Sequence, residues 1–500
     1  MAEQKKNAQK KADRPKPEFD PALCVGCAMC VESCPMNCVD LMMPEGKEAL
    51  HEVAILEKKD KCIGCGICYD VCPADAVQMV STDGVVVTKK ESGKELQKMA
   101  NKAYVAFNRG FQAVMKVGML FLPLPVPQTL KGEGALVKLP SVIRKRGISN
   151  VLVITDQGLM KLGLPDPLFK ALEEEGIAYT VYADVEPNPT TENVEQAFQL
   201  YRDNGCQAII SMGGGSPMDC GKVVGAKVAH PRRPVRRMQG TFTVLKKIPP
   251  YFAIPTTAGT GSETTMAAVI TDANTHHKKS VTDPFIMPRF AVLDPTLTTG
   301  LPPFITATTG LDALCHAVES YTNHTYNTML ENRFAKKAVR LIYNNLLKAY
   351  KDGSDLEARS NMQMAAFYAG RAFTKGTVGY VHAIGHQLGG LYGVPHGLAM
   401  SIILPHVMKS FGLAVYKRLA ELADVCKMGG NTDQEKAQKF IAWIEQMKKE
   451  MNIPVGLDMI EDEDVDQIVA WAVKEANPLY PVPVIYGKKE LKALIESMRV

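Results

Sequence analysis

The sequence contains no run of 18 or more apolar residues; the nearest approach, Val117 to Val126, is broken by Pro123 and Pro125. A bilayer-spanning helix needs about 20 such residues, so no membrane partner is expected. There is also no excess of one charge. A net +5 spread over 500 residues gives no electrostatic footprint for nucleic acid. Part of that charge sits in the first twenty residues, where Lys5, Lys6, Lys10, Lys11, Arg14 and Lys16 lie among polar neighbours. No apolar segment follows them, so neither a signal peptide nor an anchor is expected. Residues 1–18 read as a solvated, frayed basic tail, and the expected location is cytoplasmic.

What the sequence does contain is cysteine, unevenly placed. Nine of the thirteen fall between Cys24 and Cys72, and the other four (Cys206, Cys220, Cys315, Cys426) are scattered. Disulfide scaffolds belong to small secreted chains, whereas a dense cluster in a chain of this kind points to metal binding. The cluster is an internal repeat. Cys24-Val25-Gly26-Cys27-Ala28-Met29-Cys30-Val31-Glu32-Ser33-Cys34-Pro35 returns as Cys62-Ile63-Gly64-Cys65-Gly66-Ile67-Cys68-Tyr69-Asp70-Val71-Cys72-Pro73, every cysteine recurring 38 residues later. Strand-like pieces such as Val53 to Leu56 and Val85 to Thr88 flank the copies. The two copies read as pseudo-symmetric halves of one small domain over residues 19–87.

Each copy spells C-x2-C-x2-C-x3-C-P, with tight spacing that wraps three thiolates around a cubane while the proline-terminated fourth reaches across. Paired zinc knuckles are the competing reading, although structural zinc takes its four ligands from paired spacings. The repeat resembles two-cluster bacterial ferredoxins. That resemblance implies two [4Fe–4S] clusters, one on Cys24, Cys27, Cys30 and Cys72, the other on Cys62, Cys65, Cys68 and Cys34. Cys38 is then a ninth cysteine, expected to be a buried structural thiol. A long connection, Met36 to Lys61, is expected to add a surface loop.

Five hundred residues exceed the roughly 250–300 at which a single core stops growing, so further domains are expected. An apolar fraction of 46% against 22% charged is a globular balance. Residues 88–116 form a charged, helix-favouring connector in which Leu96, Met99, Ala103, Phe107, Phe111 and Met115 recur at spacings of three and four. An amphipathic helix joining the domains or packing on the second one is predicted there. Residues 117–299 alternate buried-strand runs (Val151 to Ile154, Ala208 to Ile210, Phe252 to Pro255) with helical pieces, which predicts a parallel sheet with ligand sites at its strand ends. Over residues 300–500 the strand signals fade and helical patterns dominate. The expected architecture is a small α+β ferredoxin-like domain, then an α/β dinucleotide-binding domain, then an all-α metal-binding domain.

Two loops in the α/β region carry nucleotide chemistry. Gly213, Gly214, Gly215, Ser216 and Asp219 lie between an apolar strand and a helical run, where backbone amides can approach a pyrophosphate at a helix N-terminus. The segment matches neither GxGxxG nor the Walker pattern, and a turn that binds nothing is the competing reading. Thr256, Thr257 and Thr260 follow the next strand in a second hydroxyl- and glycine-rich loop able to grip phosphate and ribose oxygens. Asp156 ends the Val151 strand, placed either to accept from a ribose 2′-OH, favouring NAD over NADP, or to cap a turn or helix.

Asp312 and His316 stand four apart on one predicted helix face, and His382 and His386 repeat that spacing. His396 follows on a turn. Four or five such donors suit Zn²⁺ or Fe²⁺. Here GGGSPMD, PTTAGTGSE, GLDALCHAVE, GYVHAIGHQLG and PHGLAMSIILPH stand in the order seen in iron-containing (group III) alcohol dehydrogenases, and the sequence from about Val117 to Val500 resembles that family. The resemblance implies a dehydroquinate synthase-like fold and an NAD-linked enzyme acting on a small alcohol or aldehyde, with the active site between two domains. It implies metal ligation by Asp312, His316, His382 and His396, and leaves His386 facing the nicotinamide, available for proton relay. It further places Asn188 and Lys278 at cofactor-contacting positions, with Lys279 as the neighbour a one-residue shift would substitute. A homo-oligomer is expected.

The two halves pose a redox problem. Cubane clusters pass single electrons, alcohol oxidation moves hydride, and flavins ordinarily bridge the two. No flavin motif is present, so the ferredoxin half is expected to dock a flavoprotein, exchange electrons with another carrier, or serve in assembly. The alternative to an alcohol–aldehyde oxidoreductase is an electron-transfer or scaffolding module whose dehydrogenase half is recruited for assembly.

Overall fold

A computed structural model of the chain describes residues 16–21, 24, 29–32, 34, 36, 38–43, 53–62, 67–70, 72, 76–80, 86–87, 102–122, 124–273 and 278–499. The chain divides into two compact units, Met1–Phe107 and Asn108–Val500. Among the described residues no helix is long and apolar enough to cross a membrane.

The first unit shows its repeat in its backbone. A short helix Met29–Glu32 is followed by strand β2 (Val39–Met42), and 38 residues later a helix Ile67–Asp70 is followed by β4 (Val77–Val80). Each repeated strand pairs antiparallel with a neighbour: β2 with β3 (Val53–Leu56), and β4 with both β1 (Lys16–Phe19) and β5 (Val86–Val87). Val39, Ala54, Val77 and Met79 pack with Cys30, Cys38 and Cys68 into one small core. Domains this small commonly rely on bound metal to supplement their core.

The connector helix runs from Lys102 to Leu120, and the part of the predicted stripe before it lies outside the described residues. Its burial differs from the predicted stripe. Phe107 and Phe111 are exposed, whereas Asn108 and Gln112 are buried beside Met119. The reason is a row of backbone carbonyls that need donors. Gln112 Nε2 donates to Tyr480 O at 2.9 Å, and Arg109 Nη2 donates to Pro483 O at 2.8 Å. Met119 completes the contact, packing with Met266, Met287 and Tyr326.

In the second unit, β6 (Gln128–Lys131), β7 (Asn150–Ile154), β8 (Ala178–Tyr182), β9 (Ala208–Gly213), β11 (Tyr251–Pro255) and β14 (Phe290–Leu293) form one sheet in the order β6-β14-β11-β9-β7-β8. All its pairings are parallel. Alternate residues enter different cores: Val151, Val153, Ile210 and Phe252 on one side, Leu152, Ile154, Ile209 and Ala253 on the other. A sheet covered on both faces needs apolar side chains at nearly every position, which explains the continuous runs. From β7 the chain crosses outward to β8, then returns beside β7 as β9 and proceeds the other way. The crevice beyond the C-terminal ends of β7 and β9 is therefore the topological switch point, where such sheets bind ligands. A smaller three-stranded sheet, β10 (Gly240–Thr241), β13 (Lys278–Thr282) and β12 (Ala267–Thr271), completes this half. The remainder is helical, beginning with Pro303–Asn323, Met329–Lys351 and Leu356–Gly376.

Candidate metal and nucleotide site

Three helices bring the four expected donors together. Asp312 and His316 lie one turn apart on Pro303–Asn323, His382 lies in Tyr380–Leu391, and His396 opens His396–Phe411. One ligand atom from each falls within 4.8 Å of all the others. The close approach of the His396 helix depends on Gly397, where a Cβ would stand 2.5 Å from the Thr308 carbonyl oxygen. Stacking of the His316 ring on Phe373, centroids 4.1 Å apart, fixes its plane.

The atoms that face one another are unsatisfied. Asp312 Oδ1, His316 Nδ1 and His382 Nε2 are buried and have no hydrogen-bond partner. Buried polar atoms are ordinarily paired, since leaving one bare costs roughly 1–3 kcal/mol. Three such atoms converging, with His396 Nε2 at 3.4 Å from Asp312 Oδ1, fit a divalent cation that accepts one carboxylate and three imidazoles. The protonation states agree. Burial pushes His316 down to about 3 and His382 well below the usual imidazole range, so both offer lone pairs at neutral pH. Burial alone would raise Asp312, but His316 and His396 outweigh it and hold the carboxyl below its ordinary value.

Two partners of these histidines escape motif reading. Glu319 Oε2 accepts from His382 Nδ1 at 2.6 Å, while its Oε1 accepts from the Val381 N–H at 2.8 Å. Held on both oxygens, Glu319 fixes the His382 ring with Nε2 toward the other donors, as carboxylates behind metal-ligating histidines do. It sits seven residues after Asp312, on the same helix face, and that spacing was the available signal. The second partner is Glu475, whose Oε1 lies 2.7 Å from His386 Nδ1 and 3.1 Å from the Tyr480 hydroxyl, while Gln387 Nε2 donates to its Oε2. Burial opposes protonation of His386, yet the Glu475 carboxylate prevails and raises its pKa. His386 stacks beside His396 at 5.4 Å. No sequence spacing connects Glu475 to His386.

The glycine loop ends β9 and leads into the helix Gly215–Ala229, whose N-terminus has no side-chain cap. Its amides are thus left for an anion. Gly213 sits at φ +156, where a Cβ would meet Pro217 Cγ at 2.5 Å. A Cβ on Gly214 or Gly215 would touch Thr257 or Thr260, so the two predicted loops adjoin. Ser216 Oγ donates to Pro187 O at 2.6 Å, drawing the exposed Asn188 turn to the same place. Thr256 is buried at the end of β11. Asp219 takes a supporting position: its Oδ1 accepts from Ser262 Oγ at 2.7 Å and its Oδ2 from Val269 N at 2.8 Å. Asp156 caps the short helix Gln157–Lys161 through Leu159 N, the capping geometry that its position after β7 allowed. Lys278 is half-buried, its ammonium acting on His386, whereas Lys279 is exposed.

In the first unit, amides point at thiols. Ala54 N donates to Cys24 Sγ at 3.4 Å, Cys38 N to Cys34 Sγ at 3.4 Å and Ala76 N to Cys72 Sγ at 3.3 Å. Such bonds stabilise thiolate charge and tune cluster potentials. Although burial raises the Cys34 thiol, the amides of Cys38 and Met36 bring its pKa below the ordinary value. Cys30, Cys62 and Cys68 lie in the same cluster of side chains, while Cys27 and Cys65 fall outside the described residues.

Comparison with known proteins places each region. Residues 127–295 match the family model "Iron-containing alcohol dehydrogenase", residues 306–498 its C-terminal counterpart, and residues 17–79 a "4Fe-4S dicluster domain". An alcohol dehydrogenase 4 from Schizosaccharomyces pombe is 37% identical over 389 residues, covering 77% of this chain and 89% of the relative. A 1,3-propanediol dehydrogenase from Klebsiella pneumoniae is 38% identical over 66% of this chain and 87% of its own length. Among solved structures, a 1,3-propanediol oxidoreductase superposes with TM-score 0.72 at 34% identity, over 76% of this chain and all of that one (100%).

Proposed function

The chain belongs to the iron-containing alcohol dehydrogenase family and carries a 4Fe–4S dicluster domain ahead of it; from that premise we propose that it interconverts small primary alcohols and aldehydes with NAD. The observation that carries this reading is the convergence of three buried, unpartnered donor atoms on His396. When bound, the divalent cation supplies Lewis acidity toward the substrate oxygen and the nicotinamide exchanges the hydride.

The protein's own part is positional and protonic. Asp312, His316, His382 and His396 are the residues to hold the cation, with Glu319 fixing His382. His386 engages Glu475 through Nδ1, which leaves Nε2 to give or take the hydroxyl proton. The loops Gly213–Gly215 and Thr256–Thr260 hold the pyrophosphate, with Asn188 and Lys278 at their margins. Asp156 is the acidic residue expected to disfavour a 2′-phosphate and so to select NAD.

Support for this substrate class comes from the relatives, which are named for alcohols, 1,3-propanediol and methanol. The test is NADH formation from a panel of short primary alcohols and diols after anaerobic loading with Fe²⁺ or Zn²⁺. Turnover with at least one of them is expected, with NAD preferred to NADP; fully loaded protein that turns over none would sink the reading and favour a scaffolding role. The dicluster unit is read as exchanging single electrons with a flavin-bearing partner, because nicotinamide does not readily take them singly.

Glu319→Gln tests the support behind His382. It keeps the shape but cannot accept on both oxygens, so metal affinity is expected to fall about 10–100-fold. Chelator competition reads the affinity, and an unchanged melting temperature of metal-free protein shows that the fold is kept.

A further inference from the structure

Cys34 has a second thiol beside it. Cys38 is buried, its Sγ lies 3.3 Å from Cys34 Sγ, and its N–H donates to that same sulfur. That separation is no disulfide, whose sulfurs lie about 2.05 Å apart. Cys62 packs in the same small side-chain cluster as Cys38 and acts on its thiol electrostatically. Its two neighbours are therefore thiols that the two-cluster pattern assigns to a single cubane: Cys62 from the local run and Cys34 reaching across from the other copy.

The repeat provides an internal comparison. With a spacing of 38 residues, Cys72 is the counterpart of Cys34 and Ala76 the counterpart of Cys38. The backbone arrangement is the same, since Ala76 N donates to Cys72 Sγ at 3.3 Å as Cys38 N does to Cys34 Sγ at 3.4 Å. The two halves differ by one sulfur, at the place where the cross-reaching ligand ends.

We propose that Cys38 is an alternative fourth ligand, so that the cluster on Cys62, Cys65 and Cys68 closes through either Cys34 or Cys38, while the cluster closed by Cys72 has no substitute. This rests on the two-cluster reading. In the exchange one Fe–S(Cys34) bond breaks and one Fe–S(Cys38) bond forms. The Cys38 thiol proton passes to the departing Cys34 sulfur beside it, and no electron is transferred.

The experiment is acid-labile sulfide content of the anaerobically reconstituted full chain, a readout to which a mononuclear active-site metal contributes nothing. Cys34→Ala is expected to keep the sulfide of both clusters, and adding Cys38→Ala to reduce it to one half. Cys72→Ala alone is expected to fall to one half, and Cys72→Ala with Ala76→Cys to recover. Loss in Cys34→Ala equal to that in Cys72→Ala would overturn the proposal, as would retention that survives the added Cys38→Ala. If Cys34→Ala yields no soluble protein, the Ala76→Cys pair decides: recovered sulfide supports the proposal and sulfide still at one half overturns it. Wild-type protein lacking the sulfide of two clusters would instead remove the two-cluster reading itself.

Discussion

Asp312→Asn should leave a folded protein that neither retains metal nor turns over alcohol. The substitution preserves shape and removes the only negative charge among the four donors. What remains are three imidazoles, two of them kept neutral by burial, facing a doubly charged ion in a poorly hydrated site. The charge is lost and a weak amide oxygen replaces a carboxylate ligand, so the fall in metal affinity should exceed the roughly 100-fold upper end seen when only an outer partner of a ligand is changed. Turnover should fall with occupancy, because the cation's charge stabilisation has no replacement among these residues. Metal analysis after dialysis, with activity measured on the same sample, reads both. Retained metal with lost activity would assign Asp312 to another role.

Lys222→Met should be the most destabilising single change near the nucleotide loops. Lys222 is wholly buried, and its ammonium donates to Ser262 Oγ at 2.7 Å, Thr265 Oγ1 at 2.9 Å and Ala267 O at 2.7 Å. Asp219 lies 3.8 Å away. Burial brings Lys222 down to about 8 and Glu263 up to about 7, and the charge of the amine favours the ionised form of both Glu263 and the half-buried Asp219. Methionine fills the space but removes the donor to three acceptors and the positive charge beside both carboxyls, leaving Asp219 only its bonds from Ser262 and Val269. Removing one member of such a buried group costs about 3–5 kcal/mol. The amine also ties the helix that begins at the glycine loop to the segment following the threonine loop. A higher KM for NAD should therefore accompany the lower stability. Chemical denaturation and NAD-dependent kinetics check the two parts separately, and wild-type values in both would show that the amine anchors nothing.

Much of this arrangement was legible in the sequence where local pattern and tertiary environment agree. β7, β9 and β11 are apolar at nearly every position because a doubly covered parallel sheet demands it. The donor pairs Asp312/His316 and His382/His386 are visible because one helical turn brings such residues onto one face. The cysteine repeat is plain because cluster loops tolerate little change in spacing. The connector helix misled for an equally physical reason. Its apolar stripe predicted burial of Phe107 and Phe111, but carbonyls at Pro478, Tyr480 and Pro483 select the polar face instead. The edge strand β6, Gln128–Lys131, carries no run to betray it, being flanked on one side only. Glu475 and Lys222 act through contacts between elements distant in sequence, and no periodicity encodes those. Asp156 shows how one residue type at one position serves two readings, since its carboxylate caps a helix at the strand end where a ribose would lie.

The most direct test of the central claim is a metal titration. Metal-free protein is titrated anaerobically with Fe²⁺ or Zn²⁺ while NADH formation from a primary alcohol and the metal bound beyond the clusters are followed together. Activity should rise in proportion to bound metal and level off at one ion per chain, and Asp312→Asn should stay flat throughout. Turnover by the metal-free protein, or metal bound at that site without any gain in activity, would contradict the assignment.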